Sequence, residues 1–101
     1  MQYFAIGELS DQIKYEENPS LVHEEARYVW GLHKSGFLRS VHHRLDVRGV
    51  VLVLEAESLD YVEKMLNGLP LAREGYLSIT GIIPVSPYTS YERIFRAGSE
   101  D

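Results

Sequence analysis

One carboxylate stands where a helix should be apolar. Over Pro19 to Lys34, at about 100° per residue, Leu21, Val22, Ala26, Val29 and Leu32 share one side. Glu25 falls between Leu32 and Val29 on that side, and His33 falls between Val22 and Ala26. His23, Glu24, Arg27 and Lys34 take the opposite side. A surface helix normally turns its acids to water. An acid on the inward stripe either finds a buried partner or has its pKa raised, because desolvation disfavours the charged form. Glu25 is therefore the first candidate for proton chemistry.

Its partners should come from the strand that follows. On Phe37 to Leu45, residues Phe37, Arg39, Val41, His43 and Leu45 share one face, and Leu38, Ser40, His42 and Arg44 share the other. If the first set faces the helices, Glu25 meets Arg39 and His43. In the opposite register it meets His42, Ser40 and Arg44. Two assignments follow. In one, Glu25 carries a proton, a histidine (His33 or His43) relays it, and an arginine such as Arg39 holds an anionic group of the substrate, with His42 also binding it. In the other, Glu25 and an arginine form a buried ion pair that performs no chemistry. Tyr28 and Trp30 flank the stripe and could line a pocket for a flat ligand, although packing is the simpler role for both. His33 by itself is more simply a satisfied core histidine.

Other chemistries have weaker support. His42 and His43 are neighbours on a strand and point to opposite faces, and no H-E-x-x-H spacing occurs, so no metal site is expected. The chain has no cysteine, no G-x-S-x-G and no glycine-rich phosphate loop. No cofactor is expected.

The elements that position these residues follow from pattern. Tyr3 to Leu9 predicts a first strand, and Ser10 to Glu17 a polar loop. Asn18 supplies an N-cap oxygen and Pro19 a first helical position. This first helix runs to Lys34 and stops at Gly36. Phe37 to Leu45 and Val50 to Ala56 predict two strands joined by a turn at Asp46 to Gly49. Ser58 caps a second, amphipathic helix, which Gly68 and Pro70 end. Gly75 to Val85 predicts the fourth strand. The order is β-α-β-β-α-β: an α+β, ferredoxin-like fold with a four-stranded antiparallel sheet and both helices on one face.

The third strand implies more. Val50-Val51-Leu52-Val53-Leu54 does not alternate, as a sheet with one wet face should. Both faces are therefore expected to be covered, one by the helices and the other by a second copy of the chain, making a homodimer or a higher oligomer. Tyr88, Tyr91, Ile94 and Phe95 in the tail are too apolar for a free end. They are expected to cross a subunit boundary or to close a pocket mouth. Residues 1–97 are read as one domain and residues 98–101 as a disordered end.

At 101 residues the chain is sized for one domain, and its 45% apolar and 25% charged residues are ordinary for a globular protein. A net charge of −5 without a basic cluster argues against a nucleic-acid partner. No apolar run approaches the ~18 residues of a membrane span. Absence of cysteine and of a signal-peptide pattern is consistent with the cytoplasm.

The stretch from Glu24 to Ile79 resembles the muconolactone isomerase-like family of dimeric α+β-barrel proteins. The resemblance is carried by the acid at Glu25, by Leu32 and Gly36 closing the helix, and by Arg39 beyond it. Ser58, Leu66, Leu69-Pro70-Leu71, Tyr76 and Ile79 continue it, with a two-residue insertion near Arg73-Glu74. It implies subunits whose sheets pair into a barrel. It also implies a cofactor-free proton shift on a small lactone, using an acid such as Glu25. His42 and His43 stand where an aromatic residue and an arginine would be expected, so a sibling reaction on another small cyclic or polyketide-like substrate fits equally. The leading expectation is a cofactor-independent isomerase or cyclase that moves a proton next to a carbonyl. The alternatives are a non-catalytic ligand-binding or scaffold protein on the same barrel, and a cofactor-free monooxygenase.

Overall fold

The computed structural model describes residues 1–96. The expected disorder of 98–101 lies outside the described residues. Among the described residues, four strands and three helices follow in the order β1 (Gln2–Leu9), α1 (Pro19–Lys34), β2 (Leu38–His43), β3 (Gly49–Glu55), α2 (Leu59–Asn67), α3 (Pro70–Arg73) and β4 (Leu77–Val85). Short 3-10 turns occupy Tyr15–Glu17 and Ser90–Phe95. The sheet order is β2-β3-β1-β4, and every neighbouring pair is antiparallel. This is the ferredoxin-like arrangement expected from the sequence.

Pairing aligns Tyr3 with Leu54 and Ala5 with Leu52, which puts the core on the helix side of the sheet. Leu32, Val62, Leu66 and Leu69 close over it, all below 8% exposed. The opposite face carries the row Val53–Phe4–Ile83 and, beside it, Val51 next to Ile6. Phe4 and Ile83 are 39% and 46% exposed there. The doubly apolar β3 is thus explained on one face by the helices, while the other face is uncovered within one chain.

Local signals account for most boundaries. Pro19 sits at the start of α1. The helix ends at Gly36, whose φ of +86° is strained for any residue with a Cβ and whose N–H donates to His33 O at 3.1 Å. Ser58 caps α2, its Oγ accepting from the Tyr61 N–H at 3.2 Å.

Five local expectations are corrected. The Asn18 side chain does not cap α1; its Nδ2 donates to Lys14 O at 2.9 Å, and the Asn18 carbonyl takes the Val22 N–H instead. The segment after β1 is not simply polar loop, because Ile13 is 1% exposed. Arg48 pins it: Nη1 donates to Ser10 O and Ile13 O, and the guanidinium lies over the Tyr15 ring. Pro70 ends nothing by itself; it opens α3, since proline is tolerated in a first helical turn.

In β2, Leu38 pairs with Leu54 but Ser40 pairs with Val53, so a bulge at Arg39 breaks the alternation. Leu38, Val41 and His43 therefore share the helix face, a set that neither simple register contains. Finally, the tail does not close the pocket of its own chain. Tyr88, Tyr91, Ile94 and Phe95 are 55–80% exposed, and the molecule is 63 Å long against 28 and 20 Å across.

Candidate active site

The site begins with the inward stripe of α1. Val22, Glu25, Ala26 and Val29 form one wall of a cavity of about 410 Å³. The sheet supplies Leu9, Val50, Leu52 and Leu77 opposite, because these residues occupy the helix-facing positions of β1, β3 and β4. Leu69 and Leu71 close the end toward α3, and Val41, His42 and His43 form the rim at the β2 edge. Tyr15, held by Arg48, completes the mouth.

Glu25 is half-buried, and its Oε1 accepts the Leu71 backbone N–H at 2.9 Å. That N–H is available because it lies in the first turn of α3, where no intrahelical carbonyl can accept it. Among the described residues Glu25 forms no ion pair. Burial pushes its carboxyl above the ordinary carboxylate value. The Leu71 hydrogen bond and the charge of Arg73 oppose the rise, and the charge of Glu24 adds to it. Arg73 itself is tied to Glu24 Oε1 at 2.7 Å. The pair is therefore a balanced charge next to Glu25 rather than a direct partner for it.

The remaining expected residues separate into two groups. His43 joins Glu25 at the cavity, through the helix-facing register of β2. His42 also borders the cavity, but its register and its 3.3 Å contact with Ser40 Oγ put the ring on the outer side of the strand. The others do not meet Glu25 in this chain. Arg39, displaced by the bulge, lies in a separate crevice with Phe37, Glu55 and Tyr61. His33 is exposed and stacks on Trp30, itself 60% exposed, with ring centroids 5.5 Å apart. The physical reason is position on the wheel: His33 falls next to Ala26 at the stripe's edge and Trp30 just beyond it, and at i, i+3 they pack on each other outside the core. Tyr28 points toward α2, donating its hydroxyl to Met65 O at 2.8 Å. The alternative assignment, a Glu25–arginine ion pair, is not formed among the described residues.

Two contributors escaped the sequence reading. Tyr15 lies in a segment of polar composition, and Leu71 belongs to the Leu69-Pro70-Leu71 motif, whose signal is structural. The signal for Leu71 was present, since a proline at a helix start leaves the next N–H free.

Comparison with solved structures completes the description. Muconolactone isomerase superposes with a TM-score of 0.72 at 17% identity, covering 100% of this chain and 99% of the other. The chain has the muconolactone isomerase fold. The 5-chloro-2-hydroxyhydroquinone dehydrochlorinase of Burkholderia phenoliruptrix AC1100, solved with 2,5-dihydroxybenzoquinone, matches with a TM-score of 0.69 at 16% identity, over 90% of this chain and 98% of that one. No family model and no curated protein sequence matches the chain. The muconolactone isomerase resemblance read from the sequence thus holds for the fold. At these identities it is the cavity, not the likeness, that must carry the chemistry.

Proposed function

We propose that the protein is a cofactor-independent isomerase or cyclase that moves a proton next to a carbonyl of a small cyclic substrate. One observation carries this reading: a carboxyl with a raised pKa and no cationic partner faces an apolar cavity of ligand size. Glu25, as the carboxylate, takes the proton from the carbon beside the carbonyl. The C–H electron pair moves to the carbonyl oxygen as an enolate, and the Glu25 carboxyl, whose proton exchanges with solvent, returns a proton at another carbon. A base whose pKa approaches the working pH is efficient in this step. His43, on the helix-facing side of β2 at the rim, would donate toward the developing oxyanion.

The test is hydrogen exchange in D₂O with small lactones and cyclic enones, followed by NMR. The protein should catalyse deuterium incorporation next to the carbonyl. Glu25→Gln should reduce the rate by about 10²- to 10⁴-fold, the range of acid–base assistance. Undiminished exchange in that variant would remove Glu25 from the mechanism. Ligand binding without exchange in the native protein would favour the non-catalytic alternative.

Two copies of the chain are proposed to pair through the outer sheet face. The row Val53–Phe4–Ile83 supports this, because a sheet face of that composition is unfavourable in water. The projecting tail, with four large apolar side chains exposed, would lie across the boundary. Light scattering on a sizing column at micromolar concentration should report a dimer or larger. A monomer there would overturn the pairing.

A further inference from the structure

The walls of the Glu25 cavity also bear on which ligands it can accept. Apart from the two rim histidines, no basic side chain lines it; no lysine and no arginine is among its lining residues. Arg39 lies in the other crevice, Arg73 is engaged by Glu24, and Arg48, over the Tyr15 ring at the mouth, donates to Ser10 O and Ile13 O. Arg44 is held by Asp46 in a two-point contact, Nε to Oδ1 at 2.9 Å and Nη2 to Oδ2 at 2.6 Å. The walls are aliphatic: Val22, Val29, Val50, Leu52, Leu69 and Leu77. Among the described residues, the one anionic group in the lining is Glu25 itself.

We infer that the cavity selects uncharged carbonyl compounds and excludes those bearing a carboxylate. This deepens the proposed function and rests on it for the role of Glu25, but it concerns binding and can fail separately. A ligand carboxylate inside the cavity would lose its hydration with no lysine or arginine to replace it. It would also face the ionised Glu25 at close range, where like charges repel strongly in a partly dehydrated site. An ammonium ligand gains little, since Glu25 would be its one anionic partner and aliphatic walls surround the rest. A neutral ring carrying a carbonyl pays neither penalty, and its apolar area matches the walls.

A pair of ligands of equal size separates the possibilities. 2-Acetylnaphthalene and 2-naphthoate differ in a methyl ketone against a carboxylate. Binding of each to the full chain is followed by the shifts of the Leu71 amide and the Val22 and Val29 methyl groups, at about pH 8, where carboxylic acids of ordinary pKa are ionised. The ketone should bind roughly tenfold to a hundredfold tighter than the carboxylate, the range expected for one like-charge contact in such a site. In Glu25→Gln the ratio should shrink by about tenfold, because the repelling charge is gone. Equal or tighter binding of the carboxylate by the native protein would overturn the inference, and so would an unchanged ratio in the variant. If the ketone binds with this preference but no deuterium exchange is catalysed, the selectivity stands and the catalytic reading falls. If neither ligand moves the cavity signals, both fall together.

Discussion

The Leu71 backbone N–H and the Glu25 carboxylate meet at 2.9 Å across 46 residues of sequence. The contact joins the middle of α1 to the first turn of α3 and fixes which way the carboxyl faces. It supplies a donor without supplying a charge. Glu25 is thereby oriented but not neutralised, and burial can keep its pKa high.

The two charges beside it should tune that pKa in opposite directions. Arg73 lowers it and Glu24 raises it. Arg73→Gln should therefore move the Glu25 titration upward and Glu24→Gln should move it downward. Carboxyl-detected NMR titration reads both, and added salt should shrink the two changes because the partners are exposed.

Stability should follow the same group with a definite sign. The folded state binds a proton more tightly at Glu25 than the unfolded chain does, so this residue's contribution falls as pH rises from the ordinary carboxylate value through its raised folded value. Above that window the full cost of burying the charge is present. Glu25→Gln should flatten this part of the pH profile and be at least as stable as the native chain in neutral solution. Urea unfolding at several pH values measures it. A variant with the same pH slope as the native protein would show that Glu25 is not the source.

Asp46 should behave in the opposite way. Its hydrogen bonds from Arg44, with the Val47 N–H adding to them, hold its carboxyl down at about 2. The contribution is present above the ordinary aspartate value and is lost as pH falls from there through about 2. Arg44→Gln should return the Asp46 titration toward the ordinary value near about 3.9. Because Asp46 is exposed, global stability near neutrality should change little.

A close approach between α1 and α2 gives a coupling that can be measured. A Cβ added at Gly68 would collide with the Tyr28 hydroxyl, which donates to Met65 O at 2.8 Å. Gly68→Ala should cost about 1–3 kcal/mol, as overpacking does. Tyr28→Phe should cost about 0.5–1.5 kcal/mol, the net worth of one hydrogen bond. The double variant should be more stable than the sum predicts, since removing the hydroxyl removes the main obstacle. Additive losses in urea unfolding would mean that the helices accommodate the methyl elsewhere.

Much of the architecture was legible beforehand, and for local reasons. The bounds of α1, the Gly36 stop, the Ser58 cap and the order of elements rest on groups within a turn of one another. The same is true of Glu25's place on the stripe, because a period of about 3.6 residues is set by hydrogen bonds inside the helix. His33 and Trp30 were less legible, being border positions where a small rotation decides between cavity and water.

The sequence by itself thus determined the ferredoxin-like order, the two amphipathic helices and an acid turned inward. Tertiary structure alone decided what the acid meets. The bulge at Arg39 arises from pairing with β3, a partner distant in sequence, and it mixes the two faces that strict alternation would keep apart. It sends Arg39 out of the cavity and keeps His43 in. The Leu71 N–H reaches Glu25 because α3 packs against α1, which no local pattern specifies. Helical facing is a property of one segment, whereas strand register and helix docking belong to pairs of segments, and Glu25's surroundings are made from the latter.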